Sequence, residues 1–371
     1  MSETLTKAAY SAGHPEKDLW ENPMGTDGFS FVEFATAEPE PLHKLLKQLG
    51  FTAVARHKSR NSILFRQGRI NLAVTAEKGG HAARFAAEHG SSACAMGFLV
   101  DKPDQAHAKL LELGATATGD GHGAQTFSAP AIEGIGGSLV YLVPSADEEK
   151  FFDSEFDFFE GVDRHPKGFG LAILDHLTHN VHRGRMDHWA KFYENLFNFR
   201  EIRYFDIEGK LTGLKSRAMT GPCGKLRIPI NESAGTEGKT DQIEEYLQEY
   251  NGEGIQHIAL ATGDILATVD GLAANGVKFM TPPPDTYYEM LDERLPDHGQ
   301  KVEELKKRAI LMDGTPDGKI LLQIFTETVI GPIFFEIISR KGDEGFGEGN
   351  FKALFESMER DQIRRGVLKA D

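Results

Sequence analysis

Cysteine is almost missing from this chain. Its 371 residues carry two, Cys94 and Cys223, one in each half. So few exclude a disulfide framework and fit a reducing compartment, where both serve as small core residues. Long apolar runs are missing too, and none reaches the roughly 18 residues that a membrane helix needs. The start, Met1 to Glu21, is polar and mixed in charge. It lacks the basic stretch and apolar core of a secretory leader. Basic residues are in deficit, 41 against 56 acidic, for a net charge of -15. Nucleic-acid binding needs a cationic face to neutralise phosphate, and none is visible. These absences lead us to expect a cytoplasmic protein with neither a membrane nor a nucleic-acid partner.

What is present is ordinary in bulk and patterned in detail. Apolar residues make up 40% and charged residues 26%, the balance of a globular chain long enough for two domains. A weak internal repeat runs through it: four segments share a short apolar strand, an amphipathic helix, and a Gly or Asn turn before an apolar residue. The first, Phe29 to Phe51, carries Leu42, Leu45, Leu46 and Leu49 at helical spacing. The second runs from Met96 past Leu110, Leu111 and Leu113 to Gly114. The third starts at Leu174 and places Trp189, Phe192, Tyr193 and Leu196 on one helical face before Asn198 and Phe199. The fourth starts at Ile255 and ends at Gly276 and Val277.

β-like runs follow each helix, such as Ser62 to Phe65, Ile70 to Val74, Ser138 to Val143, Leu226 to Ile230 and Lys319 to Thr326. Each unit therefore reads βαβββ, and the units pair as one with two and three with four. The fold class expected is α+β, with two domains of paired βαβββ modules in open barrel-like sheets. The join falls between Ala146 and Gly168. This gives an N-terminal extension at 1–20, a first domain at 21–155 and a second at 156–371. Pro282 to Gln300 is a Pro-rich charged insertion. Asn350 to Arg365 forms a terminal helix with Phe351, Leu354, Phe355 and Met358 on one face.

Two of the opening strands carry histidine in equivalent places, Leu174-Asp175-His176-Leu177-Thr178 and Ile255-Gln256-His257-Ile258-Ala259. Strand alternation sets His176 on the face opposite Asp175, and His257 on the face opposite Gln256. A third apolar strand, Ile333 to Ile338, encloses one carboxylate, Glu336. A buried lone carboxylate needs a cation or metal beside it. The three are evenly spaced along the chain, as ligands from successive repeats would be. Two imidazoles and one carboxylate form the facial triad of non-haem Fe(II) oxygenases, which leaves coordination positions open for a chelating 2-oxo acid and O2.

The plainer interpretation of any one of these is a satisfied structural residue. A lone strand histidine is most often that, and a lone strand Glu is most often half-exposed. The shared position in the repeat is what favours the triad. A rival cluster of His176, His179, His182 and His188 fails on geometry, because residues three apart on a strand point to opposite faces. The first half acts as a control. Phe31 aligns with His176, Gly97 falls near the place of His257, and Ser138 to Val143 offers no carboxylate, so that half is expected to bind no metal.

Several stretches carry a resemblance. They are Leu174 to Val181, Arg227 to Glu232, Gly254 to His257, Leu321 to Thr326, Phe335 to Ile338 and Gly345 to Phe351. Together they resemble the 4-hydroxyphenylpyruvate dioxygenases, strongly over residues 160–366 and more loosely before. The resemblance implies the vicinal oxygen chelate fold. It also implies conversion of 4-hydroxyphenylpyruvate and O2 to homogentisate and CO2, in tyrosine catabolism. His176, His257 and Glu336 would hold one Fe(II) per chain. Gln242, Gln256, Gln323, Asn231 and Ser216 would be the polar lining. Pro229, Phe325, Phe334, Phe346, Phe351 and Leu354 would form the pocket walls, with Phe335 facing outward. The terminal helix would be a lid hinged at Gly345, Gly347 and Gly349, and the chain would form a homo-oligomer, a dimer or tetramer. Related chemistries left open are hydroxymandelate synthesis, which attacks the benzylic carbon of the same substrate, extradiol ring cleavage, and ligand sequestration without catalysis.

Overall fold

The computed structural model describes residues 15, 17–118, 123–209, 211–235 and 239–368. Most of the expected extension at 1–20 lies outside them. The first half runs β1 (Thr26–Ala35), α1 (Pro39–Gln48), β2 (Thr52–His57), β3 (Ser62–Gln67), β4 (Ile70–Thr75), α2 (Gly80–His89), β5 (Ser92–Val100), α3 (Pro103–Glu112), β6 (Ala131–Glu133), β7 (Leu139–Pro144), α4 (Glu148–Glu155) and β8 (Phe156–Phe158). The second runs β9 (Leu171–Val181), α5 (Met186–Phe197), β10 (Arg200–Glu208), β11 (Gly213–Thr220), β12 (Arg227–Ser233), α6 (Gln242–Tyr250), β13 (Gly254–Thr262) and α7 (Ile265–Ala274). It continues with α8 (Asp285–Glu289), α9 (Leu291–Arg294), α10 (Val302–Lys307), β14 (Leu311–Gly314), β15 (Ile320–Phe325), β16 (Phe334–Lys341) and α11 (Glu348–Arg365).

Each half makes one eight-stranded sheet, in the orders β6-β7-β5-β1-β4-β3-β2-β8 and β10-β11-β12-β9-β13-β16-β15-β14. The helices follow the apolar periodicity. α1 has Pro39 in its first turn, where a missing N–H costs nothing, and buries Leu42 and Leu46. α5 buries Trp189, Tyr193 and Leu196 and stops at Asn198 in the left-handed region. In both halves the two modules join through an antiparallel strand pair, β1 with β5 and β9 with β13.

Two details depart from the expected layout. The second module places only β6 and β7 beside β5, while its last strand, β8, pairs with β2 at the far edge. α4 carries the chain there, and Phe156 packs on Phe127 and Phe152 at 5.9 and 6.2 Å. β8 thus belongs to the first sheet although it lies past the split expected after residue 155. The ladder also moves the counterpart of His257. Phe31 pairs with Gly97 as His176 pairs with Ala259, and Glu33 pairs with Ala95 as Thr178 pairs with His257. Ala95, not Gly97, therefore holds the place of His257. Over these residues both ladders run without a slip, so the strand pairing alone fixes the correspondence.

Candidate metal centre

The second sheet puts the three expected ligands on three adjacent strands. His176 is on β9, His257 on β13 and Glu336 on β16. Ala259 of the central strand pairs with His176 on one side and with Glu336 on the other. Its methyl group leaves room for their side chains to meet in front of it. One ligand atom of each, from His176, His257 and Glu336, falls within 4.8 Å of the others. Glu336 Oε2 lies 3.1 Å from His176 Nε2 and 3.3 Å from His257 Nε2. The three residues are 2%, 4% and 1% exposed, so little water reaches the carboxylate.

The remaining polar atoms of the triad are engaged. Asp175 Oδ1 takes His176 Nδ1 at 2.8 Å, and Gln256 Oε1 takes His257 Nδ1 at 2.9 Å. Gln323 Nε2 donates to Glu336 Oε1 at 2.8 Å. What converges on the centre is two Nε2 atoms and one Oε2, the donor set that suits a facial three-ligand site. Thr178 Oγ1 also stands 2.9 Å from His257 Nε2. Among the described residues this is the one cluster of such groups fit to hold a metal.

Strand alternation assigns Asp175 and Gln256 to the wrong side. The β9–β13 ladder slips at both residues: Ala259 pairs with His176 but Leu260 with Leu174, and Ile255 pairs with His179 but His257 with Thr178. Asp175 and Gln256 are the extra residues of two β-bulges. A bulge sets its residue beside its neighbour instead of opposite, and so each imidazole meets the side chain before it.

The electrostatics follow from this enclosure. Burial pushes the Glu336 carboxyl up, but the imidazoles beside it, His176 foremost, outweigh burial and hold it down to about 2. Burial pulls His176 down, yet Glu336 and Asp175 hold it above its ordinary value. At His257 burial wins over Glu336 and the value falls. Asp175 lies far below the carboxylate range, because the charge and hydrogen bonds of Arg340 overcome its burial.

A small cavity opens in front of the triad. Ser216, Pro229, Gln323, Phe325, Phe346, Phe351 and Leu354 line it as expected, joined by Thr178 and Phe205. Gln323 is tied down at both ends, since its Oε1 accepts from Asn350 Nδ2 at 2.8 Å. It bridges Glu336 to the terminal helix. Phe334 does not line the cavity. It stacks behind His257, centroids 4.9 Å apart and rings 23° from parallel. Asn231 is the cross-strand partner of Ser216 and does not itself line the cavity. Gln242 and Gln256 line the neighbouring cleft under α11, with Gln362 and Ser357. Phe335 faces away from the triad and meets Phe34 of the first sheet at 6.5 Å.

α11 closes the cavity with Phe351 and Leu354. Tyr287 of the insertion donates to Asn350 Oδ1 at 2.7 Å, and Glu359 accepts from Thr212 N at 2.8 Å. Sequence reasoning missed Thr178, Phe205, Asp175 and Arg340. Thr178 had a signal, being two residues from His176 and so on its face. The bulged Asp175 had none.

Comparison with known proteins gives the family. Residues 20–158 match the family described as hydroxyphenylpyruvate dioxygenase, N-terminal. Residues 173–299 match the glyoxalase/bleomycin resistance protein/dioxygenase superfamily. A 4-hydroxyphenylpyruvate dioxygenase of Pseudomonas sp. (strain P.J. 874) is 56% identical, covering 95% of this chain and all of the relative. The chain belongs to the 4-hydroxyphenylpyruvate dioxygenase family. The Pseudomonas aeruginosa family member is 57% identical, over 94% of this chain and 97% of its own. Among solved structures, a triple mutant of 4-hydroxymandelate synthase from Streptomyces coelicolor superposes with a TM-score of 0.78 at 25% identity. It covers 91% of this chain and 100% of its own. The vicinal oxygen chelate fold of the 4-hydroxyphenylpyruvate dioxygenase family, a family of non-haem iron enzymes, is thus the fold of this chain. No helix among the described residues is long and apolar enough to cross a membrane.

Proposed function

We propose that this chain is an Fe(II)-dependent dioxygenase that converts 4-hydroxyphenylpyruvate and O2 to homogentisate and CO2. One iron per chain would be held by His176, His257 and Glu336. The observation that carries this reading is the convergence of three buried donor atoms within 4.8 Å in an aromatic cavity. The iron, when bound, supplies O2 activation and a chelation site for the substrate's own 2-oxo acid, so no second keto acid is needed.

The chain's own residues do the rest. Asp175 and Gln256 each hold an imidazole Nδ1, which fixes the tautomer and aims Nε2 into the cavity. Gln323 fixes the Glu336 carboxylate. Ser216 Oγ is buried on the cavity wall without a protein hydrogen-bond partner. It can serve the phenol of the substrate as donor or acceptor. Phe325, Phe346 and Phe351 offer apolar faces to the ring.

The cavity as it stands holds about 30 Å³, room for a water or two by volume. An arylpyruvate enters when Phe351 and Leu354 withdraw with α11, and their return excludes water during the reaction. A homo-oligomer and a cytoplasmic setting complete the proposal.

Product analysis tests the reading. Metal-depleted protein given Fe(II), 4-hydroxyphenylpyruvate and O2 is expected to yield homogentisate and CO2 in equal amounts. Hydroxymandelate as the product would move the chain to side-chain hydroxylation. Turnover that persists in a strong chelator would end the metal reading.

A further inference from the structure

Behind His176, away from the cavity, lies a buried charge set that the ligand triad does not itself contain. Asp175, Arg340 and Arg227 are 1%, 4% and 2% exposed. Arg340 grips Asp175 through two parallel bonds, Nε to Oδ2 at 2.8 Å and Nη2 to Oδ1 at 2.7 Å. Its remaining nitrogen, Nη1, donates to two backbone carbonyls, Asp343 at 3.1 Å and Gly345 at 2.5 Å. Arg227 lies 3.6 Å from Asp175 and pairs with Glu344 at 2.6 Å. Three successive residues of the segment leading into α11 are therefore fastened to the same buried charges that hold His176.

The segment also touches the ligand directly. Phe346 sets its ring edge-on to His176, centroids 5.6 Å apart, and the Arg340 guanidinium lies 6.0 Å from the same ring. Gly347 then starts α11 in the left-handed region, at φ 69°. A planar fork is the one side chain that can hold a carboxylate on one side and two carbonyls on the other. A backbone carbonyl would have sufficed to orient an imidazole. Here the acceptor is instead a carboxylate whose own orientation depends on an arginine anchored in the approach to the lid.

We propose that Arg340, acting through Asp175, is a positioning residue that links closure of α11 to the orientation of the ligand His176. This rests on the reading of His176 as a metal ligand. With the approach segment docked, Nη1 is held by two carbonyls and the fork lies in the plane of the Asp175 carboxylate. That carboxylate then fixes His176 Nδ1 and aims Nε2. When the segment leaves, the fork loses two acceptors, Asp175 can turn, and His176 is held less well. By reciprocity, a metal bound to His176 must favour the docked segment by the same factor that docking favours the metal.

Co(II) is the probe, with affinity measured by chelator competition in the absence of substrate. Hydrogen exchange of the amides of residues 343–349 is followed with and without the ion. In the unaltered protein Co(II) is expected to slow that exchange. Arg340→Lys keeps the charge but loses the fork, and Asp175→Asn loses the anionic acceptor. Each is expected to weaken Co(II) by about 10–100-fold and to abolish the slowing even when Co(II) is saturating. Gln256→Leu is the matched control on the other imidazole: it weakens Co(II) but leaves the slowing intact. Co(II) that binds the unaltered protein without changing exchange at 343–349 overturns the link, as does Arg340→Lys with unaltered affinity. The first of these needs no variant to fold. Failure of the unaltered protein to take up Co(II) would instead bring down the metal-centre reading, and the link with it.

Discussion

Phe31 holds in the first sheet the ladder position that His176 holds in the second. Phe31 pairs with Gly97, and Gly97 pairs in turn with Tyr141. His176 pairs with Ala259, and Ala259 with Glu336. Phenylalanine and tyrosine thus replace an imidazole and a carboxylate, and Ala95 replaces the second imidazole. The space a metal would occupy is filled by rings. Phe31 packs on Phe127 at 4.9 Å and on Tyr141 at 5.6 Å.

Gly97 makes that filling possible. A Cβ there would stand 2.6 Å from two atoms of the Phe31 ring. Gly97→Ala is expected to cost about 1–3 kcal/mol, the usual range for overpacking. Phe31→Leu in the same chain should recover part of it, because a shorter side chain vacates the clash. Urea unfolding of the two single variants and the double variant gives the coupling, and additive costs would contradict the contact.

Glu33 is the ladder counterpart of Thr178 and is fully buried. Burial raises its pKa, against smaller opposing effects of Thr126, Thr75, Cys94 and His57. An unfolded chain gives up this proton near its ordinary value of 4.5, whereas the fold retains it to higher pH. Stability therefore falls as pH rises from that value through the folded pKa. Glu33→Gln removes the penalty, and its thermal midpoint should exceed that of the parent at pH 7. The gain should shrink toward pH 4.5. A pH-independent difference would refute the assignment.

Much of the candidate site was legible in the sequence because its residues break a pattern. His176, His257 and Glu336 are polar residues set in apolar strands, and the repeat puts them in register. The supports were not legible for the same reason in reverse. Asp175 and Gln256 obey alternation on paper, and only the bulges turn them toward the imidazoles. Arg340 follows the apolar run of β16 as any polar strand end would, so its bonds to Asp175 have no sequence signature. Gln242 and Phe334 carried the right chemistry for a pocket wall, but the ladder and the helix face send them elsewhere. β8 was hidden because three residues are too short for an alternating pattern to distinguish a strand from a loop.

Glu336→Gln keeps the size of the side chain and its bond from Gln323 while removing the one negative charge of the proposed triad. The loss of metal affinity should exceed the roughly 10–100-fold that follows from damaging an outer partner. Chelator competition with Co(II) measures it, and turnover with Fe(II) should fall in step. A variant that binds the ion as the parent does would show that this carboxylate is not a ligand.

Gln323 joins Glu336 to Asn350 of α11. Gln323→Leu would leave the Asn350 amide and one carboxylate oxygen buried without their present partner, at about 1–3 kcal/mol for the neutral amide and more for the charged oxygen. Loss of this outer support is expected to lower turnover by roughly 10–100-fold, with a matching rise in the Co(II) dissociation constant. Gln323→Glu should be worse still, because it places a second carboxylate against Glu336.

Leu354 reaches from α11 onto the cavity and is 4% exposed, beside Phe351. Leu354→Ala removes apolar contact that holds the helix down, and such truncations cost about 2–5 kcal/mol when the site cannot collapse. Here the helix can lift, so the loss should appear as easier opening more than as global unfolding. Bound Co(II) should then pass to an external chelator several-fold faster, with equilibrium affinity changed less than the rate. Turnover should fall as water reaches the site. Equal rates of metal release in variant and parent would mean that α11 does not control access to the triad.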